Sequence, residues 1–162
     1  RINLHNELQK IQNYSLSKKT IETKDILKLT NLSENFDIGE LVDNALAKNQ
    51  KKTLYILNEN NFASDESILI LRIFINKLKR LLKIHNQVVD NNIDEVITNY
   101  RPPIFWKEKD IVKKQIKIWN YAKIQKLIVK VNNIELLVKK HPSSSINIVT
   151  DFILNQAIEV NS

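Results

Sequence analysis

The chain has 162 residues, 43% hydrophobic and 27% charged, and carries 25 Lys and Arg against 18 Asp and Glu, a net charge of +7. That length and apolar content support one domain with a buried core, or one domain and part of another, and exclude a chain disordered throughout. The absence of cysteine and the single glycine, Gly39, exclude disulfides, thiolate metal sites, cysteine nucleophiles and glycine-rich phosphate loops.

Taken in order, the segments read as helices. Leu4, Leu8 and Ile11, with Ile2 before them, show helical spacing that ends near Tyr14. Ser15 to Thr20 reads as a polar linker, and Thr23 is placed to cap a short helix carrying Ile26, Leu27 and Leu29. The polar run Asn31 to Asn35 reads as a joint. Asp37 then caps a helix with Ile38, Leu41, Val42, Ala45 and Leu46 on one side, and Asn49 ends it. Close packing is the expected reason for Gly39 inside that helix. Lys51 to Asn60 repeats the pattern with Leu54, Ile56 and Leu57. The longest element is predicted from a cap at Ser64 or Asp65 to about Val89, with Ile68, Leu71, Ile75, Leu78, Leu82, His85 and Val89 at spacings of three and four. Its first half is apolar almost all round, the pattern of a helix inside a bundle.

A short helix from Asp94 leads to Arg101, and Pro102 and Pro103 make the strongest break in the chain. A helix with Ile111, Val112, Gln115, Ile116 and Trp119 follows. The next turns Ile124, Leu127, Ile128, Val131, Ile134 and Val138 inward, with Lys123, Lys126 and Lys130 outward. Pro142 to Ser145 is a loop, and a last helix carries Ile148, Val149, Phe152, Ile153 and Ala157. No run alternates as a strand does and no fixed period repeats. The expected fold is an all-α helical bundle from about residue 36, preceded by a smaller helical piece.

The placement of charge carries more information than its sum. The chain holds 24 Ile, 21 Asn and 21 Lys, the residues of AT-rich codons, which would spread lysine evenly. Instead, residues 101–142 hold 11 basic and 3 acidic residues, a local +8, while the rest of the chain is close to neutral. A basic face against phosphate or an acidic partner explains that asymmetry, and a solvated helix face is the alternative.

Catalytic chemistry finds no support. His5, His85 and His141 lie far apart and form no metal-binding spacing. His85 reads as a hydrogen-bonded bundle residue, and Ser143 to Ser145 lack the context of a nucleophile elbow. No catalytic residue, metal site or cofactor is expected. Binding chemistry has a candidate in Trp106, which follows the double proline and precedes Lys107 and Lys109. An aromatic beside lysines stacks on an unpaired base while the cations hold the backbone; the alternative is that Trp106 plugs the end of the bundle. Lys113 and Lys117 on one helix, and Lys123, Lys126 and Lys130 on the next, are further candidates for tracking phosphates.

Several stretches resemble the delta subunit family of the bacterial DNA polymerase III clamp loader. Asn6-Glu7-Leu8-x-Lys10 is similar to a pattern in the family's small lid domain. Phe36 to Leu46 resembles the start of its collar domain, with one extra residue. Lys51 to Phe62 and the long helix with Arg72, Leu81 and Leu82 resemble the next collar helices. Arg101-Pro102-Pro103-Ile104-Phe105-Trp106-Lys107 resembles the double-proline, aromatic and basic turn of alphaproteobacterial members, and Glu135 with Lys139 a later E-x-x-x-K.

The resemblance implies the end of an AAA+ lid-like helical domain over 1–32 and a helical collar over 33–162. It implies a non-catalytic part of a DNA-directed DNA polymerase holoenzyme. Such a collar assembles with gamma/tau and delta-prime type subunits and helps to load the sliding clamp onto primed DNA. DNA-contacting roles fall on Trp106, Lys107 and Lys139. A further aromatic of the family, a few residues after Lys139, has no counterpart here, where Pro142 stands. In the family, clamp contact belongs to an N-terminal domain that this sequence lacks, and Arg1 together with the absence of Met suggests a piece of a longer protein. The expected location is the cytoplasm, with no membrane partner. The competing expectation is an unrelated all-α nucleic-acid-binding module that uses its Lys-rich helix faces.

Overall fold

A computed structural model describes residues 11–15, 22, 32–60, 62–88 and 92–158, with side chains described from residue 38 onward in the stretch 32–60. Every regular element among the described residues is helical. The chain divides into two compact units, 1–39 and 40–162. Of the first, residues 11–15 are helical, with the Ser15 hydroxyl donating to the Gln12 carbonyl at 2.6 Å. The helix expected after Thr23 and the N-E-L-x-K stretch lie outside the described residues.

Helix α1 spans Leu32–Leu46, so it already runs through residues 32–35 of the polar joint expected at Asn31 to Asn35, and Asp37 lies inside it rather than capping it. Glu34 is as good a helix former as leucine, and Ser33 and Asn35 rank with valine and phenylalanine, so the helix runs back through them. Gly39 is not explained by close packing, since nothing lies within 4 Å of where a Cβ would stand. The helix ends in a Schellman motif. The Asn49 amide donates to the Asn44 carbonyl at 2.9 Å, the Lys48 amide donates to Ala45 at 3.2 Å, and Lys48 takes the left-handed conformation at φ 56°. Asn49 therefore does not end α1. It opens α2, Gln50–Glu59, its side chain accepting from the Lys52 amide at 3.4 Å.

A 3-10 turn, Ser64–Glu66, leads into α3, Ser67–Val88. The Glu66 carboxylate accepts from the Ala63 amide at 2.6 Å, and the α-helix begins about half a turn later than a Ser64 cap would place it. The buried stripe of α3 is Ser67, Ile70, Leu71, Phe74, Leu78, Leu81 and Ile84, whereas Ile68, Ile75, Leu82 and His85 are only half-buried. The core face keeps Leu71 and Leu78 of the expected one but is turned from it by roughly 70°. Helix α4, Ile93–Asn99, is capped by Asn92, whose side chain accepts from the Asp94 amide at 3.0 Å.

After the prolines come the 3-10 turn Trp106–Glu108, α5 (Lys109–Ile118), α6 (Tyr121–Lys140), a 3-10 turn Pro142–Ser144 and α7 (Ser145–Ala157). Helix α3 packs against α4, α5, α6, α7 and the Ser64–Glu66 turn, and α7 also packs on α2 and α6. The core joins Leu41, Val42, Ala45 and Leu46 of α1 with the α3 stripe, Val112 and Ile116 of α5, Ile124, Leu127, Val131 and Val138 of α6, and Val149, Phe152, Ile153 and Ala157 of α7. Trp119 ties three of these elements together. Its indole Nε1 donates to the Leu46 carbonyl at 2.6 Å, His85 Nε2 donates to its carbonyl, and the Lys48 ammonium lies 4.8 Å from its ring centroid. His85 is thus a hydrogen-bonded bundle residue. Among the described residues no helix is long and apolar enough to cross a membrane.

Candidate nucleic-acid interface

The site grows out of the break at Pro102 and Pro103. Neither proline has an amide hydrogen to donate, and each disfavours helix in the residue before it. The chain therefore leaves α4 as an extended turn, with a cis bond between Arg101 and Pro102. Tyr100 and Ile104 point into the core at 7% and 6% exposure. Phe105 and Trp106 are left outside. Trp106 is 68% exposed, which overturns the alternative that it plugs the bundle end. The Phe105 and Trp106 rings sit 5.7 Å apart and tilted by 50°, and the Lys107 ammonium lies 5.3 Å from the Trp106 centroid. An exposed indole with a cation beside it is suited to stacking against a planar ring that carries negative charge nearby.

A buried ionic cluster holds this turn in place. The Asp43 carboxylate of α1, 6% exposed, receives Lys77 Nζ at 2.5 Å and faces Arg80 Nη2 at 3.7 Å. Arg80 Nη1 donates to Glu108 Oε2 at 2.7 Å, and Gln115 Nε2 donates to the Asp43 backbone carbonyl at 2.9 Å. Glu108 closes the Trp106–Glu108 turn, so its bridge to Arg80 fixes the aromatic turn against α3. Burial alone would raise the Glu108 carboxyl. The Arg80 hydrogen bond and the charges of Lys77 and Arg80 outweigh it and hold the group below its ordinary 4.5.

The sign of the linkage follows. A depressed carboxyl in the folded state contributes stability above the unfolded value of 4.5, and that contribution is lost as pH falls through the folded value. Thermal melts followed by circular dichroism should show a midpoint that declines as pH drops below about 4.5, and Glu108→Gln should shrink that decline. An unchanged acid profile in the variant would mean that the bridge contributes no net stability.

The other candidates are placed as follows. Lys107 stays beside Trp106. Lys139 does not join them: it lies near the end of α6, paired with Glu135 Oε1 at 2.6 Å, and no Cα of α6 comes within 8 Å of one in the Trp106–Glu108 turn. That exposed i,i+4 pair is worth about 0.3–0.5 kcal/mol. Lys113 is also engaged, 2.6 Å from Asp94, whose hydrogen bond raises the ammonium above its ordinary 10.5. Lys117, Lys123, Lys126 and Lys130 are exposed.

Two features escaped the sequence reading. The Asp43, Lys77, Arg80 and Glu108 cluster gathers residues from three elements, and no spacing in the sequence brings them together. Val129 and Leu136, seven residues apart on α6 and outside the face expected to turn inward, are both 59% exposed. Among the described residues no group of His, Asp and Glu is arranged to hold a metal ion. No family model, no curated protein and no solved structure matches this chain.

Proposed function

We propose that this chain is a non-catalytic DNA-replication protein of the cytoplasm, the helical collar of a clamp loader delta subunit, and that its Trp106 turn contacts primer-template DNA. The observation that carries the reading is the exposed Trp106, flanked by Phe105 and Lys107 and anchored to α3 through Glu108 and Arg80. The turn opens the segment that holds the chain's whole excess of positive charge. The partners that follow are gamma/tau and delta-prime type subunits, which would meet the collar, and the unpaired template base beside the primer end.

The test combines assembly and DNA binding. The chain mixed with the loader subunits of its own organism should co-elute from a sizing column, with mass confirmed by light scattering. Trp106→Ala should leave that assembly intact and weaken its binding to primer-template DNA. Loss of one stacked base costs about 1–3 kcal/mol, or about 5- to 150-fold in affinity. Unchanged DNA affinity would remove Trp106 from the interface. Exposed Lys123, Lys126 and Lys130 favour the second reading, an independent nucleic-acid binder. It predicts no complex with loader subunits and tight, strongly salt-dependent binding by the chain alone, where the collar reading predicts only weak binding by the chain alone.

A further inference from the structure

The cleft between α3 and the double-proline turn is lined by Asn76, Lys79, Arg80 and Lys83 on one side and by Tyr100, Pro102, Pro103 and Ile104 on the other, with a volume of about 350 Å³. The α3 residues fall at i, i+3, i+4 and i+7, so they form one face of the helix. Their charges are not equivalent. Arg80 is compensated by Glu108 at 2.7 Å and Asp43 at 3.7 Å. Lys79 and Lys83 are exposed and have no carboxylate partner among the described residues, and the same holds for Arg101 at the foot of the opposite wall. The cleft therefore pairs uncompensated cations with a mostly apolar wall, an arrangement that focuses positive potential between them.

We infer that this cleft holds a backbone phosphate of a single nucleic-acid strand, the strand whose base rests on Trp106. The inference builds on the stacking role proposed for Trp106 and adds a second contact point made of different residues. Three features favour a strand over an acidic peptide. Lysines one helical turn apart act as point charges that grip a phosphate without demanding a fixed fork geometry. Trp106 follows Ile104 of the cleft wall by two residues, so their Cα atoms are at most about 7 Å apart. The Arg80 to Glu108 bridge sets both walls and the aromatic turn in one frame, so phosphate and base are read together.

The experiment is fluorescence anisotropy of labelled oligothymidylate with the full chain across a salt series. Three proteins are compared: wild type, Lys79→Ala with Lys83→Ala, and Trp106→Ala. Both lysines are exposed, so the double variant should melt at the wild-type temperature. The double variant should lose affinity at low salt, and the slope of log K against log salt should become shallower by about 0.7 for each phosphate contact removed. Trp106→Ala should lose affinity at every salt concentration with the slope unchanged. A lysine variant that matches wild type while Trp106→Ala is weakened would overturn the cleft and leave the stacking site standing. Weakening of the lysine variant alone would support the cleft and sink the stacking role. Polyglutamate displacing the oligonucleotide at equal charge concentration, with both probes equally insensitive to Trp106→Ala, would assign the cleft to an acidic protein partner instead.

Discussion

Asp43→Ala should lower the unfolding free energy by about 3–5 kcal/mol, a large share of the roughly 5–15 kcal/mol of a typical domain. The reason lies in what the substitution leaves behind. Lys77 and Arg80 are 12% and 18% exposed, and Asp43 is the carboxylate they share. Without it, two cations remain in a poorly solvated place with only Glu108 to answer them, at 4.0 Å from Lys77 and 2.7 Å from Arg80. Arg80 already has Nε and Nη2 buried without a hydrogen bond, so it has little reserve. Urea unfolding read by circular dichroism gives the loss directly. Asp43→Ala combined with Lys77→Met should recover part of it, because the second substitution removes the stranded charge and replaces it with an apolar side chain of similar length. A loss below about 1 kcal/mol in the single variant would show that the cluster is effectively solvated, as exposed pairs are. The cluster also bears on the interface. The same Asp43 variant leaves Glu108, which closes the Trp106 turn, as the one carboxylate of the cluster that both cations must share.

The second large effect is expected at Phe74→Ala. Phe74 is fully buried at the centre of α3, with its ring centroid 5.2 Å from that of Phe152 and the planes tilted by 59°. Truncating a buried phenylalanine costs about 3–5 kcal/mol, part from lost transfer of apolar surface and part from the cavity left behind. The tilted pair adds an aromatic contact beyond its buried area, which Phe152 loses at the same time. For a domain of this size the melting temperature should fall by about 10 °C or more. Phe74→Leu should fall much less, because most of the volume is kept. A small shift for Phe74→Ala would mean that α7 moves inward and fills the space.

Both effects reach α3, the first through Lys77 and Arg80 and the second through Phe74; the existence of this helix was plainest in the sequence and its orientation was not. Its length followed from an unbroken run of helical spacing bounded by polar residues. Its inward face did not, because Ile68, Leu69, Ile70, Leu71, Ile73, Phe74 and Ile75 are apolar on every side. A periodic pattern identifies a face only where polar residues mark the other one. Helix α6 has such contrast, and there Ile124, Leu127, Val131 and Val138, expected inward, are buried, while Ile128 and Ile134 of the same expected face are half-buried. Asn49 was misplaced for a different reason. Asparagine serves both at the end of a helix, in the left-handed conformation, and as an N-cap. Here Lys48 takes the left-handed position, its ammonium held by the Gln156 carbonyl and above the Trp119 ring, and Asn49 is left to cap α2.

By itself the sequence determined that the chain is helical, where the strongest break falls, and that its surplus of positive charge begins at that break. These are local properties: side-chain periodicity, the missing amide of proline, and composition along the chain. Only the tertiary structure decided which of two tryptophans is buried. Trp119 finds the Leu46 carbonyl for its indole and goes inside; Trp106 stays out, while Ile104 next to it fills the core. Only the tertiary structure, too, separated lysines that are held by carboxylates from those with no carboxylate partner among the described residues, and set Lys79 and Lys83 across a cleft from Pro102. Charge pairing depends on distances between residues far apart in the chain, and packing alone sets those distances.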